Sequence, residues 1–183
     1  GVEYVSSTQI SKEINVDASM IAKDLSFLNI KGKTRIGYEV ATLEHKLQEF
    51  LGFKRGHNAV LIGVGSLGGS LIQDSGLVKY GLRIVAGFDV REDLIGSSIC
   101  GVPIYDMAEF GRLIRTLDAG IGIIAVPMDM AQKVCDEIVE AGIRALWNFT
   151  PMRIKAPAGI VVQDTSIYAD LAVMYNRLDN IHR

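Results

Sequence analysis

The chain has 183 residues, 49% of them apolar, which is enough to bury a core as one domain or two small ones. Its formal net charge of −2 and pI near 5.9 exclude a uniformly basic nucleic-acid binder, so any such contact must come from local pattern. No apolar run approaches the ~20 residues of a membrane span and no charged-then-apolar leader opens the chain, so it reads as a cytoplasmic protein without a membrane segment.

In chain order, "SSTQISKEI" (6–14) predicts a short helix with Ser7 as N-cap and Ile10 and Ile14 on one face. "NVD" breaks it, and Asp17 caps a second helix over 18–28, with Ile21, Leu25 and Leu28 as its apolar stripe and Ser19 and Lys23 elsewhere on its surface. "KGKTRIGYEV" (31–40) follows as a positively charged, glycine-punctuated loop around a short β-like run, then a helix over 42–51 that stops at Gly52. Residues 1–56 carry eight Lys/Arg against seven Asp/Glu, whereas 57–183 carry eleven against fourteen, the sign of a basic head on an acidic body.

From Asn58 onward, apolar runs alternate with helical patterns, the mark of a parallel sheet covered by helices on both faces. Strands are predicted near 59–64, 82–88, 121–126, 144–147 and 160–163, with a short one near 102–104, and helices near 66–76, 106–116 and 128–141. From Ser166 the apolar residues Ile167, Leu171, Met174, Leu178 and Ile181 are spaced 4, 3, 4, 3, a heptad seam suited to another helix, on this domain or on a second subunit. Cys100 and Cys135 lie far apart and outside any C-x-x-C pattern, so both are expected to be buried small hydrophobes, with no disulfide framework and no metal site.

"LIGVGSLGGSL" (61–71) sets the spacing Gly63-x-Gly65-x-x-Gly68 directly behind an apolar run and ahead of a helix. Gly63 permits the tight turn, Gly65 a close approach of the backbone to a pyrophosphate, and Gly68 close contact of helix and strand. Val64, Ser66 and Leu67 complete a loop whose amides face the phosphates at a helix N-terminus. Asp89, twenty-one residues after Gly68, can accept the hydrogen bonds of an adenosine ribose diol and so favours NAD over NADP, a choice that Arg91 softens. Val126-Pro127 ends a strand at the ligand edge of such a sheet, and Asn148 follows the next strand on the same edge. These three are candidates for the nicotinamide end or ordinary turn residues.

Hydride transfer needs a substrate pocket and usually a proton donor or acceptor beside the nicotinamide. Only about twenty residues follow the nucleotide-binding unit, which ends near residue 163, and His45, His57 and His182 are poorly placed, so a non-enzyme is expected. The alternatives are an NAD-dependent oxidoreductase with an unrelated helical head and a CoA-binding Rossmann module, against which Asp89 argues for a ribose diol.

On "VSSTQISKEINVDASMIAKDLSFL" and "GKTRIGYEV" in the head, and "GVGSLGGSL", "IVAGFD", "AVPMDMAQKVCDEIVEAGI" and "WNFTPMRI" in the body, the chain resembles the Rex-type redox-sensing transcriptional repressors of bacteria over nearly its whole length. The resemblance implies an α/β protein. A winged-helix head over 1–52, whose first helix would precede Gly1, leads through a linker at 53–57 to a Rossmann-like doubly wound domain over 58–165 that binds NAD(H). A helix over 166–183 would be exchanged between the subunits of a homodimer.

It further implies a repressor of operator DNA carrying an inverted repeat, released when NADH binds. The 18–28 helix would enter the major groove, Ser19 and Lys23 touching base edges while Lys31, Lys33 and Arg35 grip phosphates. Tyr38 joins them as a DNA-binding residue at the end of the wing, where the family commonly reads G-K-R-G-x-G-Y and this chain reads Gly32-Lys33-Thr34-Arg35-Ile36-Gly37-Tyr38. Lys23 matches the family's recognition lysine, but Ala22 stands where arginine is frequent, and Ser166 stands where the family's V-D-L pattern has aspartate.

Overall fold

A computed structural model describes residues 3–181, which fall into two compact units, Gly1–Gly56 and His57–Arg183. Gly1 and His182 lie outside the described residues.

The first unit runs β1 (Tyr4–Val5), α1 (Ser7–Ile14), α2 (Ala18–Phe27), β2 (Tyr38–Glu39) and α3 (Val40–Phe50). The N-cap of α1 is Ser6, not Ser7: its hydroxyl accepts from the Gln9 N–H while the Gln9 side chain accepts from the Ser6 N–H, a reciprocal capping box that the shifted reading missed. Asn15, in the left-handed conformation at φ 52°, ends α1, and the Asp17 carboxylate caps α2 by accepting from the Ser19 and Met20 amides. Ile21, Leu25, Ile30 and Leu43 form this unit's small buried core. β1 was not foreseen; two residues are too few to carry a period, and it exists only through antiparallel pairing of Tyr4 with Glu39 and Val5 with Tyr38.

The second unit contains β3 (His57–Ile62), α4 (Ser66–Gln73), α5 (Ser75–Lys79), β4 (Leu82–Asp89), β5 (Ser98–Ile99) and β6 (Val102–Asp106). It continues with α6 (Phe110–Leu113), β7 (Ile121–Ile124), α7 (Ala131–Glu140), β8 (Ala145–Asn148), β9 (Val161–Asp164) and α8 (Ile167–Ile181). Strand order is β5-β6-β4-β3-β7-β8-β9, parallel throughout except for the β5–β6 pair. Without β5 this is the doubly wound dinucleotide-binding order 3-2-1-4-5-6.

The central strands β3, β4 and β7 are buried on both faces, which is why they read as continuous apolar runs. Val60, Ile62 and Ile124 face the α6–α7 side with Phe110, Val134 and Ile138; Ala59, Leu61 and Ile123 face the opposite side with Ile72 of α4. Ile84 and Ala86 share parity yet lie on opposite faces, because the β3–β4 register slips between Ala59 and Val60 and leaves Val85 as an extra residue.

β5 is a second element absent from the sequence reading. It is joined to β6 by the two-residue turn Cys100-Gly101, both at positive φ (48° and 81°), and Cys100 at its tip is exposed. The expectation of two buried cysteines therefore holds for Cys135 alone, whose thiol pKa is pushed up by burial.

Candidate functional site

β3 has β4 on one side and β7 on the other, so the connections leaving the carboxyl ends of β3 and β7 diverge and open a crevice between them. A cleft of about 550 Å³ lies there. Ile62 and Gly63 form its floor, the segment from Phe88 to Arg91 after β4 one wall, and Ala125, Val126 and Pro127 after β7 the other. Another hollow of about 410 Å³, between α4, α5 and the β4–β6 edge, takes in none of the sequence-predicted site residues.

The three loop glycines differ in what a side chain would meet. At Gly63 (φ 91°) a Cβ would lie 2.6 Å from the Ala125 carbonyl oxygen, and at Gly68 it would lie 2.1 Å from the Gly63 carbonyl oxygen, so both are demanded by the approach of backbone to backbone. At Gly65 it would meet nothing within 4 Å. Gly65 is also the N-cap of α4 and has no side chain to offer, so the first amides of the helix, with Ser66 and Leu67 in its opening turn, are left for an outside acceptor. That combination fits the pyrophosphate of NAD(H). Val64 is different: it is buried, its side chain belongs to the α4-side core and its N–H is used internally.

The internal acceptor is Asp89. Its Oδ2 accepts from the Val64 N–H at 2.7 Å and its Oδ1 from the Val90 and Arg91 amides at 2.8 and 3.0 Å. Hence the residue selected for a ribose diol also fastens the glycine loop to the end of β4. The Arg91 guanidinium lies alongside, its Nε 3.5 Å from Asp89 Oδ1 and its Nη2 donating to the Val64 carbonyl at 3.0 Å.

Val126 and Pro127 line the cleft, whereas Asn148 is not among its lining residues. Asn148 is fully buried; its amide nitrogen donates to the Met152 carbonyl and Asp164 Oδ1, and its oxygen accepts from the Thr150 N–H and hydroxyl. With every polar site satisfied by Met152 and Thr150 of the turn after β8 and by Asp164 of β9, it ties that turn to β9. Lys133 and Glu137, one turn apart on α7, line the cleft and were not singled out from the sequence. The signal was present in α7, because Ala131, Val134, Cys135 and Ile138 occupy its buried face and put Lys133 and Glu137 on its flank. Among the described residues no cluster of His, Cys, Asp or Glu is arranged to hold a metal ion, and no helix is long and apolar enough to cross a membrane.

In the first unit, Ser19 and Lys23 are exposed on α2, with the Ser19 hydroxyl donating to Asp17 Oδ1. The loop 33–37 closes as a tight hairpin: the Lys33 N–H donates to the Gly37 carbonyl at 2.7 Å and the Gly37 N–H to the Lys33 carbonyl at 2.9 Å. Arg35 (φ 65°) stands at its tip and Lys31 at its approach, both exposed. Lys33 is tied at the base, donating to the Tyr4 hydroxyl at 2.6 Å, a bond that raises its pKa further. Tyr38 is half-buried against this unit's core, its ring beside Gly32.

Every residue of α8 from Ile167 to Asn180 is exposed, including Leu171, Met174 and Leu178 of the heptad seam, so the helix does not dock on its own unit's core. Ser166 caps it, its hydroxyl accepting from the Ala169 N–H at 3.2 Å.

Residues 54–152 match the family model described as CoA binding domain, and residues 1–26 the one described as Putative DNA-binding protein N-terminus. The Redox-sensing transcriptional repressor Rex of Bacteroides thetaiotaomicron is 57% identical over 179 residues, covering 98% of this chain and 81% of the relative. That of Porphyromonas gingivalis is 51% identical over 181 residues, covering 99% and 83%. Among solved structures, RSP in complex with beta-NAD+ and operator DNA superposes with a TM-score of 0.92 at 31% identity, covering 99% of this chain and 83% of that one. RSP in complex with beta-NADH gives 0.88 at 31%, covering 99% and 84%.

Proposed function

Because the chain belongs to the Rex family of redox-sensing transcriptional repressors, with its residues 54–152 in the CoA binding domain family, we propose that it represses transcription by binding operator DNA as a homodimer and leaves that DNA when NADH binds. The observation that carries this is the pairing, in one chain, of a helix-turn-helix head with a glycine-loop cleft in which Gly65 faces open space. It is supported by likeness over 99% of the chain to RSP, whose solved complexes contain beta-NAD+ with operator DNA and beta-NADH.

In this reading Gly63, Gly65 and Gly68, with the backbone of Val64, Ser66 and Leu67, form the pyrophosphate cradle; Asp89 holds the cradle and borders the ribose; Val126 and Pro127 border the nicotinamide. Asn148 contributes at one remove, by fixing the β8 turn. In the head, Ser19 and Lys23 reach base edges, Lys31, Lys33 and Arg35 meet phosphates, and Tyr38 and Tyr4 brace the wing. The free seam of α8 meets a second copy of the chain, and two heads on a two-fold axis read an inverted repeat. The protein acts in the cytoplasm and performs no net reaction.

NADH and NAD+ differ by a hydride and one charge at the nicotinamide, and a sensor must bind them unequally in its DNA-competent and DNA-incompetent arrangements. Linkage then requires operator DNA to weaken NADH binding by the factor by which NADH weakens DNA binding, typically ~1–3 kcal/mol of coupling. The test is titration of NADH and, separately, NAD+ into a labelled operator complex at fixed salt. NADH should release the DNA at concentrations where NAD+ does not, and equal responses to the two nucleotides refute the sensor.

A further inference from the structure

We propose that Arg91 gives the ribose end of the cleft a phosphate-binding corner, so that the protein accepts the 2′-phosphorylated nucleotide NADPH as well as NADH. The inference rests on the nucleotide-binding reading of the cleft and concerns which dinucleotides enter it. An acidic residue at the end of the second strand of such a fold ordinarily selects a bare ribose, because it accepts hydrogen bonds from the diol and repels a phosphate. Here that capacity is largely consumed. An ionised carboxylate has about four lone-pair sites. In Asp89 three are filled by the Val64, Val90 and Arg91 amides, and the guanidinium of Arg91 stands 3.5 Å from Oδ1. The Asp89 side chain is only 9% exposed, and three backbone amides and the Arg91 guanidinium offset its charge.

What faces the cleft at this corner is instead a donor set. The Arg91 side chain is half exposed and lines the cleft two residues beyond Asp89. A guanidinium carries five N–H donors in a planar fork. One N–H on Nη2 is used on the Val64 carbonyl and Nε is turned to Asp89, which leaves both hydrogens of Nη1 and the second of Nη2 for an outside acceptor. The bond to Val64 ties the guanidinium to the glycine loop itself, so the fork is held at the mouth of the cradle instead of sweeping through solvent. Pre-organised donors on a fixed cation match the oxygens of a monophosphate better than they match two hydroxyls.

The experiment is calorimetric titration of the full chain with NADH, NADPH and coenzyme A, repeated for Arg91→Ala. The unsubstituted protein should bind NADPH within about tenfold of NADH; R91A should lose about tenfold or more in NADPH affinity while NADH changes by less than about threefold. NADH binding with NADPH weaker by more than about tenfold overturns the inference and leaves the nucleotide reading standing; so does a loss in R91A that is equal for the two. Failure to bind NADH at all overturns both. Coenzyme A carries its ribose phosphate on the 3′ oxygen, so tighter binding of it than of NADPH assigns the corner to a 3′-phosphate and overturns the 2′ assignment.

Discussion

Replacing Gly65 by alanine separates ligand binding from folding, because the structure gives opposite forecasts for the two. The backbone at Gly65 (φ −73°, ψ −161°) is extended, and the new Cβ would meet nothing within 4 Å, so an alanine fits without strain. Stability should therefore stay within about 0.5 kcal/mol of the parent. The same methyl group stands where a phosphate would approach the first amides of α4. Losing one charge-assisted N–H to phosphate bond costs about 1.5–3 kcal/mol, a drop of about 10- to 150-fold in NADH affinity. Gly68→Ala is the counter-experiment. Its Cβ would sit 2.1 Å from the Gly63 carbonyl oxygen, where ordinary contact begins at 3.4 Å, so backbone must shift by more than an ångström. Overpacking of this kind costs about 1–3 kcal/mol. Thermal melts without ligand and calorimetric NADH titrations of both variants check the pair. G65A that melts like the parent and binds NADH like the parent would show that the loop is not the pyrophosphate cradle.

Other expectations concern the head and the last helix. Lys23→Ala should flatten the preference for operator over random DNA, whereas Lys31→Ala should weaken both alike and reduce the slope of log affinity against log salt by about 0.9; competition binding at several salt concentrations distinguishes the two. Leu171→Glu should halve the sedimenting mass and leave the melt of each unit intact, since Leu171 touches no core of its own chain; an unchanged mass would remove α8 from the interface. The Ser19 hydroxyl and the Ser19 and Met20 amides hold the Asp17 carboxyl below the ordinary carboxylate range. The stability this cap gives the head is thus present above an unfolded value of about 3.9 and fades as pH falls through the lower folded value. Asp17→Asn should remove that dependence, followed as melting temperature against pH between about 2 and 6; an unaltered acid slope would refute it.

The glycine loop, the Asp17 cap, the two helices of the head and the alternation of strand and helix were legible in the residues, because each depends on backbone conformation or on a period within a dozen neighbours. Legible in the same way, but one residue off, was the first helix, where two consecutive serines compete for the cap and only the reciprocal bond with Gln9 decides between them. Other features came from contacts between distant segments. β1 and β5 exist only through their partners, and the face switch at Val85 follows from register against β3. The chemistry of single side chains was decided the same way. Asp89 is read from sequence as an acceptor for a ribose diol, yet Val64, twenty-five residues earlier, claims one of its oxygens. Asn148 is open in the sequence between a ligand-edge residue and an ordinary turn residue, and only the folded chain shows Thr150, Met152 and Asp164 taking all of its hydrogen bonds. The α8 segment announced an apolar seam, and only the folded chain left Ile167, Leu171, Met174 and Leu178 of it exposed. Sequence by itself determined which segments become helix or strand and where backbone meets backbone. Tertiary structure decided which polar groups remain free for a ligand, because hydrogen bonds saturate and their partners are chosen in space.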